Sequence, residues 1–351
     1  MSGKMVKETV TSTDVARHAG VSQSAVSRVF TPGASVSTTM RERVMKSAEA
    51  LGYRPNALAR SLISGRSRII GVVVAYLDNQ FYPVALEKLS NALQAQGYHI
   101  LVFMASQTRG NLDHVLQEIL DYQVDGLVMA SVAMSSDLAA QCDAAGVPVV
   151  LFNRSQDDQR LSAVTSDNLR GGRDVARFLV AGGHRRIAYI AGWEGASTNR
   201  DREAGFLKGL EEAGIPLFDR AVGDYDFEHA KQATRQLFDR PAGDRPDAVF
   251  VANDHMAIAV LDVLRHVLGI RVPEDVSVVG YDDVPEAAWS SYDLTTVRQP
   301  TNRMVDATVR ILMDRIEEGQ VMPQRIAIGG PLMLRGSARR PDGQEDAEVW
   351  P

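Results

Sequence analysis

From Ile69 onward, short apolar runs alternate with helix-length segments, and this alternation constrains the fold more than any other feature of the chain. The runs IIGVVVA, HILVFMA, GLVMA and VPVVLF read as buried strands, each bounded by Gly, Pro or polar turns. Between them, helices are predicted near residues 82–96, 110–122 and 136–145. The pattern then repeats, with IAYIAG, AVFVAN and VSVVGYDD as strands and helices near residues 168–182, 198–213 and 253–268. Alternating strand and helix predicts parallel sheets covered on both faces. Two such runs predict a two-lobed, doubly wound α/β body, and ligands in this architecture sit beyond the carboxyl ends of the strands.

The first 68 residues follow another rule. They hold 11 Lys and Arg against 4 Asp and Glu, a surplus of seven positive charges. The remainder holds 27 against 40, so the net charge of −6 describes neither part. Residues 11–52 read as three short helices. Thr11 can cap the first, with Asp14 three residues on accepting from the exposed amides. Val15, Ala16 and Ala19 give its apolar side and Gly20 ends it. Ser22 caps a second helix, Gln23 to Phe30, in which Ala25, Val26 and Val29 can face inward. Only Gly20 and Val21 separate helix from cap, which is the helix-turn-helix arrangement. A third helix runs from a cap at Ser37 to about Leu51, where Gly52 suits the left-handed stop. If the second helix lies in a major groove, Gln23, Ser24, Ser27 and Arg28 meet base edges, Arg suited to guanine and Gln to adenine. The alternative is a solvated helix face, and the coincidence of cap, turn, crossing and positive charge favours DNA.

The segment DVARHAGVSQSAVSRVF, followed by VSTTMRERVMKSAEALGYRPNALARSL, resembles the LacI/GalR family of bacterial transcription regulators, and the resemblance runs to about Arg340. One departure is the Thr31-Pro32-Gly33 loop, where the family usually has Asn; it bears on the path of the loop over the DNA backbone. After Tyr53-Arg54, Pro55 disfavours helix at Arg54 and Asn56 can cap a new, short one. That helix has at most about two turns before Gly65, below the ~12–15 residues of marginal stability, so it forms only when held. The resemblance implies that two such hinge helices, one per subunit, pair in the minor groove, with Leu62 wedged into a base step. Packing of Leu62 against the body is the alternative. The residues expected to face DNA are Thr11, Gln23, Ser24, Ser27, Arg28, Asn56, Ala59 and Leu62.

The family fold is similar to periplasmic sugar-binding proteins, with a ligand between the lobes and three chain crossings, here expected near Asp167, Val297 and Ile326. The resemblance implies a pocket from Asp78, Phe81 and Tyr82, with Gln80 where the family usually has Pro. It adds Asn153, where many relatives have Asp, and Arg154, Arg202, Tyr225, Asn253 and Asp282. Trp193 and His255 adjoin it. Each has a plainer reading: Asn253 or Asp282 as a cap, Phe81 and Tyr82 as core, Arg202 as a surface ion pair. Jointly, polar residues at successive strand ends point to a pocket. Carboxylate and amides for hydroxyls, guanidinium for oxyanions and rings for C–H faces favour a polyhydroxylated ligand. Asn at 153 removes a negative charge beside Arg154 and Arg202, which leans toward a sugar acid.

Other classes are excluded or disfavoured. No run approaches 18 apolar residues, and the N-terminus lacks the apolar core of a signal peptide. The one cysteine, Cys142, forms no intramolecular bridge and is expected buried and inert. The cytoplasm is the expected compartment, where the glycosylation-like Asn153-Arg154-Ser155 has no meaning. There is no GxSxG, HExxH, GxxxxGK[ST] or GxGxxG after a strand, and the seven histidines do not pair at metal-ligand spacing. No enzyme, metal or cofactor is expected. The tail after Gly336 lacks leucine heptads, which favours a homodimer over a tetramer. The expected organisation is a head at 1–55, a hinge at 56–66, a two-lobed body at 67–340 and a polar tail at 341–351. The expected function is a ligand-responsive, sequence-specific DNA-binding transcription regulator, a repressor acting at a near-palindromic operator and answering to a sugar or sugar acid, with no membrane partner. The alternatives are a regulator that needs its ligand to bind DNA, or a sugar-binding protein with no DNA role.

Overall fold

The computed structural model describes residues 10–31, 34–54, 66–105, 109–132, 136–158, 160–319, 322–344 and 347–350. The chain divides into two compact units, Met1–Ser67 and Arg68–Pro351.

In the head, α1 (Ser12–Ala19), α2 (Gln23–Val29) and α3 (Thr38–Leu51) are each started by a hydroxyl: Thr11, Ser22 and Ser37. At Thr11 the cap is reciprocal, since the Asp14 carboxylate accepts from the Thr11 amide at 3.0 Å while Thr11 Oγ1 accepts from the Asp14 amide at 3.3 Å. Gly20 ends α1 at φ 63°, a conformation that glycine adopts without steric cost. Val15, Ala16, Ala19, Val26, Val29, Val44 and Ala48 close a small core between the three helices. Arg41 donates to the Val29 carbonyl and Arg43 to the Gly20 carbonyl, tying α3 to the ends of the first two helices. Two local expectations need correction. Helix α2 stops at Val29, because Phe30 leaves the helical conformation and turns edge-on to Tyr53 at 5.7 Å. Ala25 is half-buried rather than in the core. The hinge positions Asn56, Ala59 and Leu62 lie outside the described residues.

The body holds two sheets. The first lobe runs β1 (Ile69–Val74), α4 (Phe81–Ala95), β2 (His99–Met104), α5 (Arg109–Asp121), β3 (Gly126–Ala130), α6 (Ser136–Ala144), β4 (Val149–Phe152) and β5 (Ser162–Ser166). The second runs α7 (Asn168–Ala181), β6 (Ile187–Ala191), α8 (Ser197–Glu212), β7 (Asp219–Val222), α9 (Phe227–Phe238), β8 (Ala248–Val251), α10 (Asp254–Asp262), β9 (Ser277–Asp282) and β10 (Thr295–Arg298). The chain then returns to the first lobe through α11 (Thr301–Glu318) and β11 (Arg325–Ile328), and re-enters the second with β12 (Leu332–Met333) and β13 (Val349–Trp350). Strand order is β11-β5-β4-β3-β1-β2 in the first sheet and β13-β12-β10-β9-β8-β6-β7 in the second. The chain therefore passes between lobes after Ser166, after Arg298 and after Ile328. The central strands β3, β4, β6, β8 and β9 are buried along their whole length, as a parallel sheet covered on both faces requires.

The structure corrects the sequence reading in three places. The second sheet is not wholly parallel: β12 runs antiparallel to β10, and β13 antiparallel to β12. Residues 341–351 are not simply a polar tail, because Val349 and Trp350 form β13 and the Trp350 ring meets Phe178 edge-on at 5.5 Å. The helix expected to continue to residue 268 is α-helical only to Asp262, and a π-helical turn, Val263–Val267, follows.

Candidate functional site

Most polar side chains of the cleft follow the carboxyl ends of strands, and helices α4, α7, α8 and α10 add Tyr82, Asn168, Arg202 and Asp254. Asn79 follows β1, Ser131 follows β3, Asn153 and Arg154 follow β4, Trp193 follows β6, Tyr225 follows β7, Asn253 follows β8, Asp282 ends β9 and Gln299 follows β10. Several of these residues have positive φ: Ser131 at 64°, Asn153 at 61°, Tyr225 at 60° and Asp282 at 126°, with Asp283 beside it at 54°. Non-glycine residues rarely adopt that conformation, and clustered instances mark places where the fold holds a side chain for a purpose.

One half of the site is built around Arg202, whose side chain is 2% exposed. Its Nε donates to Asn168 Oδ1 at 2.9 Å, its Nη1 to the Ala252 carbonyl, and its Nη2 lies 3.2 Å from Asp282 Oδ1. The guanidinium sits over the Tyr281 ring, 3.7 Å from the centroid. This placement depends on how closely α7 and α8 cross. A Cβ at Gly172 would collide with the Arg202 carbonyl, and one at Gly205 with the Leu169 carbonyl. Asp282 also accepts from Gln299 Nε2 at 2.7 Å and from Asn79 Nδ2 at 3.5 Å, the latter from the opposite lobe. Beside it, Asp254 is fully buried, takes the Thr296 hydroxyl at 2.6 Å and accepts from the Val284 amide at 3.0 Å. Burial, then the neighbouring Asp282 charge, hold Asp254 well above the ordinary carboxylate range. Asp282 is also raised by burial, with Arg202 opposing. Asp282 has the Arg202 guanidinium to answer its charge and Asp254 does not, so Asp254 is the member of the pair that holds a proton more readily.

The other half is aromatic. Tyr82 donates from its hydroxyl to Ser131 Oγ at 2.6 Å, Ser131 Oγ reaches the Tyr76 hydroxyl at 3.4 Å, and Asn153 Nδ2 donates to the Tyr82 hydroxyl at 3.3 Å. Across the cleft, the Tyr225 and Thr198 hydroxyls lie 3.0 Å apart. Arg154, 3% exposed, lays its guanidinium against the Trp193 ring of the second lobe, 5.3 Å from the centroid. The Ser155 amide donates to Ser197 Oγ at 3.0 Å, a further bond between lobes. Buried polar atoms without a hydrogen-bond partner concentrate here: Asn153 Oδ1, Arg154 Nε and Nη2, Asn253 Nδ2 and His255 Nε2. Such atoms are costly to bury and point to a ligand that completes them.

Of the residues expected in the pocket, Tyr82, Asn153, Arg154, Arg202, Tyr225, Asn253 and Asp282 are brought together as buried groups. Asn253 serves twice: its Oδ1 caps α10 by accepting from the Met256 amide at 3.0 Å, while its Nδ2 stays unpartnered. Phe81 stacks on Phe152 at 6.2 Å in the core of the first lobe, beneath the site. Asp78 is displaced outward: its side chain is 68% exposed and stands 3.9 Å from His255 Nε2, while Asn79 takes the inner position. The reason is local. Asp78 Oδ1 accepts from the Asn79 amide and Asn79 Oδ1 from the Phe81 amide, a turn that sends successive side chains to opposite sides. Sequence reasoning missed Tyr76, Asn79, Ser131, Asn168, Asp254 and Gln299. Asn79 and Asp254 adjoin residues it named, so the strand-end rule could have included them. Asn168 and Gln299 lie beside chain crossings and carry no such signal. Cys142 is buried, and burial pushes its thiol up to about 11. Among the described residues, no group of three His, Cys, Asp or Glu is placed to hold a metal ion.

On the head, Gln23, Ser24 and Arg28 are exposed along α2 and Ser27 is half-buried. Gln23 Nε2 donates to Ser12 Oγ at 3.0 Å and Ser24 Oγ lies 2.9 Å from Ser22 Oγ, so both are held at the helix start. Thr11 is exposed but its hydroxyl donates to Asp14 at 2.7 Å.

A helix-turn-helix head carried on a two-lobed body with a polar cleft defines a ligand-responsive DNA-binding regulator. The model for bacterial regulatory proteins of the lacI family matches residues 11–56, and that for a periplasmic binding protein-like domain matches residues 176–338. The HTH-type transcriptional regulator CelR of Thermobifida fusca is 36% identical over 334 residues, covering 92% of this chain and 96% of the relative. A solved complex of the regulator CelR with cellobiose is 34% identical, with TM-score 0.71, covering 94% of this chain and 100% of that one. The lac repressor dimer bound to operator and an anti-inducer is 28% identical, with TM-score 0.84, covering 94% and 99%. The chain belongs to the LacI family of bacterial regulatory proteins. It is a DNA-binding transcriptional regulator, not an enzyme. No helix among the described residues is long and apolar enough to cross a membrane.

Proposed function

We propose that the protein is a cytoplasmic homodimeric repressor whose hold on a near-palindromic operator is set by a small polyhydroxylated effector, a sugar or sugar acid, bound between the lobes. The observation that carries this reading is the convergence of Asn79, Asn153, Arg154, Arg202, Asn253, Asp282 and Gln299 from both lobes, with several of their polar atoms buried and unpartnered. Asp282 and the amides suit hydroxyl groups, Arg154 and Arg202 suit oxygens, and Tyr82, Tyr225 and Trp193 suit C–H faces. Phe81 supports Tyr82 from below, and Asp78 and His255 stand at the mouth. The relatives support the ligand class: one is seen with cellobiose, and others are ribose operon repressors.

On the DNA side, Gln23, Ser24, Ser27 and Arg28 read base edges, and Thr11 steadies α1 at the backbone. Asn56 and Ala59 support the hinge segment in the minor groove, with Leu62 as the wedge. The functional divisions are a head at 1–55, a hinge at 56–66 and an effector-binding, dimer-forming body from 67. Effector binding alters the relation of the lobes, hence the spacing of two hinges, hence operator affinity. For a coupling of ~1–3 kcal/mol the change is ~5–150-fold.

Gel shifts with fragments upstream of the protein's own and neighbouring genes, together with a thermal-shift screen of sugars and sugar acids, test this reading. Specific retardation and a ligand that raises the melting temperature are expected. A chain that retards no fragment more than competitor DNA would contradict it.

A further inference from the structure

Arg154 and Arg202 are equally buried, yet their surroundings differ in a way that bears on the charge of the effector. Arg202 is answered by Asn168, the Ala252 carbonyl and Asp282. Arg154 rests on Trp193, while its Nε and Nη2 are buried and make no hydrogen bond among the described residues. These two nitrogens form one edge of the guanidinium plane. Their N–H bonds run nearly parallel, the spacing that matches two oxygens of a carboxylate. The charges nearby give the same answer. Arg202 and Asp282 offset each other as a buried ion pair, and Asp254 is engaged by the Thr296 hydroxyl and the Val284 amide. Asp78 stands exposed at the mouth beside His255. Burial raises the Tyr76 and Tyr225 phenols, which leaves them neutral. Asn153, next to Arg154, brings an amide where a carboxylate would have supplied the counter-charge. Among the described residues Arg154 makes no ion pair, and a buried cation without a partner is costly.

We propose that the effector carries a carboxylate seated on Arg154 through Nε and Nη2, and is a sugar acid rather than a neutral sugar. Hydroxyl oxygens could accept from either nitrogen but would leave the charge unanswered. A phosphate dianion would bring one negative charge too many for the single surplus cation. The inference rests on the reading of the cleft as a sugar-type effector site, and the test separates the two.

The full chain is titrated calorimetrically with matched sets: glucose, galactose and mannose, each with its uronate, its aldonate and its 6-phosphate. One acid is expected to bind about 10–100-fold more tightly than its neutral sugar, the gain of a charge-assisted bidentate pair. In R154Q, checked for folding by circular dichroism and its unfolding midpoint, acid and neutral sugar should fall within about threefold of each other. R154K, which keeps the charge but not the fork, should retain part of the preference. A neutral sugar that binds as tightly as its acids overturns the carboxylate and leaves the sugar reading standing. A preferred 6-phosphate, or an acid preference that survives in R154Q, also overturns it. Binding of no member of any set overturns both.

Discussion

Nη2 of Arg202 lies 3.2 Å from Oδ1 of Asp282, and both side chains are almost wholly enclosed in the second lobe, at 2% and 3% exposure. Removing one partner of a buried pair leaves the other charged and unsolvated, which typically costs ~3–5 kcal/mol. Arg202→Met should therefore destabilise the body by about that amount, whatever it does to effector binding. In denaturant unfolding, the double variant R202M/D282N should be more stable than R202M alone, since it removes the stranded carboxylate.

Asp254 gives the pH dependence a sign. Burial and Asp282 raise its folded value above the 3.8 of an exposed aspartate, so the folded state holds a proton that the unfolded state releases. The contribution is fully present below pH 3.8 and is lost as the pH climbs through the raised folded value. Asp254→Asn should flatten the decline of stability from mildly acid to alkaline pH, as followed by melting temperature across buffers. Asp247 runs the other way. Partial burial pushes it up, but His184 and the Arg185 and Arg186 amides prevail and bring it down to about 2. Its stabilisation is present above pH 3.8 and is lost as the pH falls toward 2.

Much of this site could be read from the sequence because strand ends are legible. IIGVVVA, VPVVLF and VSVVGYDD announce buried strands, and the polar turn after each lies at the cleft. The short or polar strands gave no such signal. Asp219–Val222 and Thr295–Arg298 lack apolar runs, and they acquire strand character only by pairing with β6 and β9. Helix α11 lies beyond the last long apolar run, although Met304, Val305, Thr308, Ile311 and Leu312 line one buried face at helical spacing. Asn79 replaced Asp78 inside the cleft through a turn that residue type alone does not dictate. The sequence placed both arginines beside an amide at 153, and that Arg202 is answered while Arg154 is not was visible only once their neighbours were placed.

Arg28 is exposed near the end of α2, and no core residue depends on it. Arg28→Ala should leave head stability within about 0.5 kcal/mol of the parent. If it reads a base edge, operator affinity should drop by ~1–3 kcal/mol and discrimination should relax at one position of each half-site. Anisotropy titrations against a set of single-base operator variants separate that outcome from a uniform loss, which would mark a phosphate contact.

Trp350 belongs to the second lobe. Its strand pairs with Leu332–Met333 and its ring meets Phe178 edge-on. Because it is only half-buried, Trp350→Ala should cost about 1–2 kcal/mol, less than the ~3–5 of an enclosed Trp. Chemical unfolding of the full chain, followed by circular dichroism, reads this directly.

The central claim is that a ligand in the cleft controls the head's grip on DNA. Its most direct test is the operator dissociation constant of the full chain at one fixed salt concentration, measured with and without the ligand that calorimetry identifies. A change of ~5–150-fold is expected, and its dependence on ligand concentration should follow the calorimetric binding curve. An operator affinity that is the same with the cleft empty and saturated would contradict the account.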